Sequence, residues 1–148
     1  MRVAVSACLL GRASRYDGGH KLLPGLPELL RALDAEVIPL CPEADAGLPV
    51  PRPPFDLQPA PDGSWRAIDR TGADLTPVLL RWIDATLPRL RDAPPDVFVL
   101  KSKSPSCNLF PPLPPGLFAQ ALLPAFPRAL FLDESTALPR LRALVEKA

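Results

Sequence analysis

The chain has 148 residues, of which 47% are hydrophobic, and its 17 basic and 16 acidic side chains leave a net charge of +1. This composition is ordinary for a globular protein and excludes an intrinsically disordered one. Without a basic stripe, the sequence argues against a nucleic-acid polymer as partner and favours a small-molecule substrate. It also predicts neither a membrane span nor a secretory signal, because no apolar run is long enough and none follows the first residues.

The spacing of apolar residues along the chain predicts strands and helices, and one proline-rich segment between them is irregular. Short apolar runs predict four strands, at residues 2–8, 36–40, 96–100 and 128–132. Apolar residues at helical spacing predict helices at residues 27–33, from Thr76 onward, at 116–123 and at 136–146. Thr76 is expected to cap its helix and Pro88 to end or kink it. Between residues 49 and 72, prolines and a Pro-Asp-Gly turn predict a small excursion or hairpin.

The order of these elements predicts the fold. Strands that alternate with helices favour a parallel sheet with right-handed crossovers. The sequence therefore predicts a single α/β domain over residues 1–148. We expect a three-layer sandwich with a mainly parallel, Rossmann- or flavodoxin-like sheet of four strands.

The three cysteines provide the main indication of function, because each follows a predicted strand. Cys8 ends the first strand, Cys41 ends the second, and Cys107 follows the third after a polar loop. The carboxyl ends of parallel strands share one edge, where open α/β sheets bind ligands. An odd number of thiols always leaves one unpaired, so a metal centre is favoured over disulfides. Reduced thiols in a chain without a secretory signal also predict a cytoplasmic protein.

Each of these features also has a simpler explanation. A single cysteine is more often a buried core residue than a ligand. The spacing excludes the local patterns of most zinc and ferredoxin-type sites, so the ligands would come from separate loops. Glu43, beside Cys41, is either a solvated loop residue or a proton donor and acceptor. The loop 101–107 is either an exposed turn or a set of hydroxyls and amides facing an anion or a cluster sulfide.

Six motifs, taken in order, resemble those of the small bacterial thiouracil desulfidase family. They are residues 6–11 (SACLLG), 15–19 (RYDGG), 41–43 (CPE), 47–52 (GLPVPR), 72–76 (GADLT) and 101–107 (KSKSPSC). The resemblance covers nearly the whole chain. It implies a 4Fe-4S cluster with three cysteine ligands, Cys8, Cys41 and Cys107, and with one open iron. It further implies the non-redox desulfuration of a 2-thiouracil-like nucleobase or related thiocarbonyl compound, with release of sulfide.

The resemblance also implies roles for the residues near the cysteines. An open iron would polarise the thiocarbonyl as a Lewis acid while water attacks its carbon. Glu43 is expected to move the protons, and Ser104 or Ser102 to orient water or substrate. Four further residues are expected to bind substrate: Asp17, Tyr16, Lys101 and Ser106. The protein is expected to be a monomer or a homodimer.

The sequence departs from the family pattern after the third cysteine. Asn108 stands where the family usually has glycine, and we expect it to keep the turn because asparagine tolerates positive φ. A proline-rich loop, residues 109–115, replaces an aromatic and glycine-rich one and leaves the identity of the substrate open. Two alternatives follow. The protein is a non-catalytic module that carries iron–sulfur or sulfide for a partner enzyme, or its cysteines perform thiol chemistry without metal.

Overall fold

A parallel sheet of four strands lies at the centre of the computed structural model, which describes residues 1–147. Ala148, the last residue of the predicted domain, lies outside the described residues. The described residues contain six strands, four of which form this sheet. They are β1 (Arg2–Ser6), β2 (Glu36–Leu40), β3 (Phe55–Pro59), β4 (Trp65–Asp69), β5 (Val97–Leu100) and β6 (Leu130–Asp133). The sheet has the order β2-β1-β5-β6, and all its neighbouring strands are parallel. Strands β3 and β4 form a separate antiparallel hairpin.

Helices cover both faces of the sheet. They are α1 (Leu26–Ala32), α2 (Pro42–Asp45), α3 (Thr76–Asp92), α4 (Leu117–Ala125) and α5 (Ala137–Lys147), and a 3-10 turn spans Ala7–Leu10. Successive side chains of β1 point to opposite faces of the sheet. Val3 and Val5 are therefore buried in the core beneath α1 and α5, and Ala4 is buried in the core beneath α3 and α4. Among residues 1–147, no helix combines the length and the apolar character needed to cross a membrane.

The predicted fold class is confirmed: the protein is an α/β three-layer sandwich with a four-stranded parallel sheet. Its strand order is flavodoxin-like, because the second strand lies on one side of β1 and the later strands lie on the other. The direction of winding therefore reverses between β1 and β5. The carboxyl ends of strands at such a reversal leave a crevice, which is where sheets of this kind bind ligands.

Contacts with the rest of the fold decide two features of α3 that differ from the local sequence signals. The hairpin between residues 49 and 72 is confirmed. The expected cap is wrong, because Leu75 occupies the cap position and the hydroxyl of Thr76 instead accepts a hydrogen bond from the Ala67 amide, at 2.7 Å. Pro88 does not end the helix, which continues to Asp92. Leu90, beyond the proline, is buried in the core, and its packing offsets the lost backbone hydrogen bond.

Candidate metal centre and catalytic cavity

A cavity of about 620 Å³ opens at the carboxyl edge of the sheet, beside the reversal of the winding. The turn after β1, the start of α2, the hairpin and the loop 101–107 all contribute to its wall. Six lining side chains are cationic and two are acidic, so the cavity favours neutral or anionic ligands over cations. The charged lining residues are Arg15, Lys21, Arg52, Arg70, Lys101, Lys103, Glu43 and Asp56.

Cys8 lines this cavity from the 3-10 turn that follows β1. Its carbonyl oxygen accepts hydrogen bonds from the amides of Gly11 and Lys21, at 3.2 and 2.9 Å, which fix the turn against the following loop. Gly11 ends the turn with a φ of 94°, in the left-handed region that favours glycine. Burial, and after it the neighbouring Cys41, raise the pKa of the Cys8 thiol to about 11.

Cys41 lines the cavity from the residue that precedes α2. Its sulfur accepts a hydrogen bond from the Ala44 amide at 3.5 Å, as the side chain of a helix cap does. The same thiol donates to the carbonyl oxygen of Ser14 at 3.8 Å. The Cys41 amide donates to the Asp45 carboxylate at 2.9 Å. The thiol is therefore held by backbone groups from two different segments.

Cys107 is buried at the base of the loop 101–107 and also lines the cavity. The hydroxyl oxygen of Ser104 accepts hydrogen bonds from the amides of Ser106 and Cys107, both at 3.1 Å, and so closes the loop on itself. Burial raises the pKa of the Cys107 thiol, and the charges of Cys41, Glu43 and Cys8 raise it further, while the Ser6 hydroxyl opposes them. All three cysteines thus line the same cavity.

The donor set fits an iron–sulfur cluster better than a single metal ion. All three cysteines are free thiols, and they reach one cavity from three separate segments. Within residues 1–147, no group of three His, Cys, Asp or Glu side chains is arranged to hold one metal ion. The cysteine ligands of a cluster bind different irons, so they surround the group and do not converge on one atom. Soft sulfur donors also select iron–sulfur clusters over hard cations.

Glu43 faces the cavity from α2 and is held on both of its carboxylate oxygens. Arg52 donates to Oε1 through Nη2 at 2.7 Å and through Nε at 3.0 Å. Ser106 donates its hydroxyl proton to Oε2 at 2.9 Å. Because the Arg52 side chain is only 4% exposed, the ion pair is shielded from solvent and its geometry is well defined.

A second ion pair holds the start of the loop 101–107. The Lys101 ammonium lies 2.8 Å from the Glu134 carboxylate, which also accepts a hydrogen bond from the Ser102 amide at 2.8 Å. Partial burial acts to raise the pKa of Glu134, but the Lys101 ammonium and the Ser102 amide lower it overall. The Lys101 amide donates to the Ser6 hydroxyl at 2.9 Å. These bonds tie the loop to β1 and to the segment that follows β6.

Asn108 joins the same loop to the proline-rich segment 109–115. Its Oδ1 accepts the Lys103 amide at 2.8 Å, and its Nδ2 lies 3.0 to 3.2 Å from three carbonyl oxygens. Those acceptors belong to Phe110, Leu113 and Pro114. The expectation of positive φ at Asn108 is wrong: Lys103 takes that conformation instead, with φ of 62°. The side chain of Asn108 therefore organises the turn together with its backbone, whose amide donates to the Ser104 carbonyl oxygen at 3.0 Å and whose carbonyl oxygen accepts from the Gly116 amide at 2.9 Å.

The structure places some of the residues expected to act on substrate in the cavity wall and others outside it. Five of them line the cavity together with the cysteines: Glu43, Ser102, Ser104, Tyr16 and Lys101. Asp17 and Ser106 do not line it. The Asp17 carboxylate accepts the Gly19 amide at 2.9 Å within its own loop, and Ser106 is buried against Glu43. The expectation that these two residues bind substrate remains a prediction.

Sequence reasoning assigned no role to Arg52, Ser14 or Glu134, which hold the site together. Arg52 stands at the end of the motif 47–52, where a charged residue among prolines and apolar residues was an available signal. Its other donors reach the carbonyl oxygens of Ser14 and Pro49, at 2.9 and 3.2 Å. Nothing in the local sequence of Ser14 or Glu134 marks them, because their partners lie far away along the chain.

Comparison with known proteins supports the interpretation of this site. A profile of the 2-thiouracil desulfurase family matches residues 3–134. A solved structure described as a 4Fe-4S-dependent thiouracil desulfidase, TudS, is similar with a TM-score of 0.77 and 28% sequence identity. The similarity covers 99% of this chain and 99% of that one. No curated protein sequence matches the chain. Since the family profile spans all three cysteines and the sheet that positions them, the chain belongs to the 2-thiouracil desulfurase family.

Proposed function

We propose that the protein is a desulfidase that removes sulfur from a 2-thiouracil-like nucleobase or a related small thiocarbonyl compound. The observation that carries this proposal is that all three cysteines of the chain line one cavity, with Glu43 in the same wall. The family of the chain supports the reaction, and the structural similarity to TudS supports its dependence on a 4Fe-4S cluster. The overall change replaces C=S by C=O, consumes one water and releases one sulfide.

In this proposal Cys8, Cys41 and Cys107 hold the cluster as thiolates and leave one iron without a protein ligand. When bound, such a group supplies a thiophilic Lewis acid for the thiocarbonyl sulfur, with no net electron transfer. The hydrogen bonds around the three residues, which fix the segments that carry the thiols, support this part of the proposal. Free thiols at all three positions also suit a reducing compartment such as the cytoplasm.

Glu43 is proposed to move the protons, and its contacts indicate which oxygen does so. Oε1 accepts two hydrogen bonds from Arg52, so this oxygen is occupied. Oε2 accepts only the hydroxyl proton of Ser106 and has capacity for a second donor. A water that attacks the thiocarbonyl carbon would give its proton to Oε2, and the same oxygen would return it to the departing sulfur or to a ring nitrogen.

Around this acid–base group, the loop 101–107 supplies the polar surface for substrate. Ser102 and Ser104 line the cavity and are proposed to orient water or the ring of the substrate. Lys101, fixed by Glu134, places a positive charge in the same wall, and Tyr16 adds an aromatic side chain that is partly exposed. Asp17, an exposed residue paired with Arg15, and Ser106, a buried residue bonded to Glu43, are proposed to act by positioning those two side chains. The prediction of a monomer or a homodimer remains a prediction.

The first experiment is an anaerobic purification with iron and acid-labile sulfide measured per chain. We expect about four of each and turnover of 2-thiouracil to uracil and sulfide, followed by chromatography. Cys41→Ser should lose both the cluster and turnover, whereas Ser64→Ala, in the distant turn of the hairpin, should lose neither. Glu43→Gln should keep the cluster and lose most of the rate.

Other outcomes would contradict specific parts of the proposal. Cluster binding with stoichiometric sulfide uptake and no turnover would replace the enzyme by a carrier module. Turnover in cluster-free protein would indicate thiol chemistry without metal. An unchanged rate in Glu43→Gln would remove the proton-transfer role from that residue alone.

A further inference from the structure

Ser14 carries a buried hydroxyl that has no hydrogen-bond partner. In the part of the chain described, residues 1–147, it is the one buried side-chain polar atom left in this condition. The residue is only 3% exposed, and it lies in the wall of the cavity that the three cysteines line. A buried hydroxyl without a partner destabilises a folded protein, so such groups are rare and each calls for an explanation, such as a catalytic role or a bound water or ion.

The backbone of Ser14 is fixed from several directions, so its hydroxyl is not free to swing into solvent. Its amide donates to the Arg12 carbonyl oxygen at 2.8 Å. Its carbonyl oxygen accepts from Arg52 Nη2 at 2.9 Å and from the Cys41 thiol at 3.8 Å. Because Arg52 is buried and paired with Glu43, these contacts connect Ser14 through Arg52 to the proposed catalytic carboxylate.

The contact between Cys41 and Ser14 must change when a metal group binds. A metal-bound thiolate has lost its proton, so it accepts hydrogen bonds and donates none. The Cys41 sulfur would then no longer donate to the Ser14 carbonyl oxygen, which keeps its bond from Arg52. The sulfur, which already accepts from the Ala44 amide, then acts only as an acceptor. Ser14 contributes its unpartnered hydroxyl to the same cavity wall.

We propose that the Ser14 hydroxyl donates a hydrogen bond to a sulfur of the bound cluster, either the Cys41 thiolate or the inorganic sulfide beside it. Ser14 is then a positioning residue that tunes the cluster. The inference rests on the proposed three-cysteine cluster. It assigns to Ser14 an effect on the reduction potential of that cluster. Hydrogen bonds to sulfur stabilise the more negative, reduced state of a cluster and raise its reduction potential.

The test compares Ser14→Ala and Ser14→Thr with wild type and with Ser64→Ala, whose hydroxyl bonds to Asp62 in the hairpin turn at 2.6 Å. Each protein is reconstituted anaerobically, assayed for iron and titrated with a reductant while its electron paramagnetic resonance spectrum is recorded. At the wild-type midpoint, we expect about a tenfold lower ratio of reduced to oxidised cluster in Ser14→Ala, or about 59 mV for a one-electron couple. Ser14→Thr, which keeps the hydroxyl, should recover much of this shift, and Ser64→Ala should show none.

A second measurement uses the metal-free proteins, in which the hydroxyl has no partner to lose. Ser14→Ala should unfold at a temperature no lower than wild type, because the substitution removes an unpartnered polar atom. A cluster with an unchanged potential in Ser14→Ala would overturn the inference and leave the desulfidase proposal intact. A lowered melting temperature without a change of potential would also overturn it, since Ser14 would then be structural. Absence of iron from wild type and all variants would overturn both proposals together.

Discussion

Arg52 holds Glu43 through two donors on one oxygen, with Nη2 and Nε at 2.7 and 3.0 Å from Oε1. This arrangement leaves Oε2 as the oxygen available for proton transfer. The pair connects two motifs that are neighbours along the chain but belong to different elements, the start of α2 and the segment before the hairpin. The orientation of the proposed acid–base group therefore depends on a guanidinium that does not itself need to touch substrate.

We expect Arg52→Met to destabilise the protein by about 3 to 5 kcal/mol, because it leaves the Glu43 carboxylate without its buried partner. Unfolding in urea measures this change. Arg12→Met is the matched control, since Arg12 pairs with Asp45 at a similar distance, 2.8 Å, but is 47% exposed. Its loss should be below about 1 kcal/mol. Equal losses in the two variants would show that the Arg52 pair is not shielded as the structure indicates.

Asn108→Gly restores the residue usual in the family but removes the hydrogen bond that Oδ1 accepts and the two Nδ2 hydrogens that three carbonyl oxygens share. At about 1 kcal/mol for each net hydrogen bond, with partial compensation by water, we expect a loss of about 3 kcal/mol. Hydrogen exchange at the Lys103 amide should accelerate in this variant. Asn108→Asp keeps an acceptor for that amide, so protection there should persist even though the three carbonyl bonds are lost. Loss of protection in both variants would disprove the separate role of Oδ1.

Gly116→Ala tests the packing that fixes Cys107. A Cβ at Gly116 would overlap the backbone of Ser106 and Cys107, so the start of α4 or the loop must move. We expect a destabilisation of about 3 kcal/mol, at the upper end of ordinary overpacking, together with reduced iron content. Gly63→Ala is the control, because its Cβ meets nothing but its φ of 86° is strained. The Gly63→Ala variant should be destabilised by about 1 kcal/mol and should keep its iron. Normal iron content in Gly116→Ala would contradict the proposed link.

Asp74, at the junction of the hairpin and α3, makes the stability of the protein depend on pH. Hydrogen bonds from Thr76, and then from Arg66, lower the pKa of its carboxyl from 3.8 to about 2. The depressed pKa means that the carboxylate contributes stability above about pH 4, and that this stability is lost as the pH falls toward 2. The side chain is 37% exposed, so solvent screening limits the effect of its ion pair to below about 1 kcal/mol.

Asp74→Asn should therefore be less stable than wild type at neutral pH, and the difference should vanish near pH 2. Thermal unfolding followed by circular dichroism from pH 7 to pH 2 measures it. Asp84→Asn, on the middle of α3, serves as the control because no ion pair or side-chain hydrogen bond holds that carboxylate in the part of the chain described. A difference that persisted unchanged to pH 2 would show that the carboxylate charge is not responsible.

Much of the fold followed from local patterns in the sequence. The strand 36–40 was predicted with the bounds that the structure has, because its apolar residues are bounded by a turn and a proline after the cysteine. The hairpin followed from its Pro-Asp-Gly turn. The error at Thr76 and the continuation of α3 past Pro88 have a similar cause: contacts with Ala67 and with the core around Leu90 outweighed the local preference of each residue.

The sequence by itself determined the α/β class, the position of each of the three cysteines after a strand, and the resemblance to a desulfidase family. Those features depend on residue type and spacing along the chain. Only the tertiary structure decided that Arg52 holds Glu43, that Asn108 organises its loop through its side chain, and that Ser14 keeps an unpartnered hydroxyl. These are hydrogen bonds between segments brought together by the sheet, and their direction and distance depend on packing that no local pattern encodes.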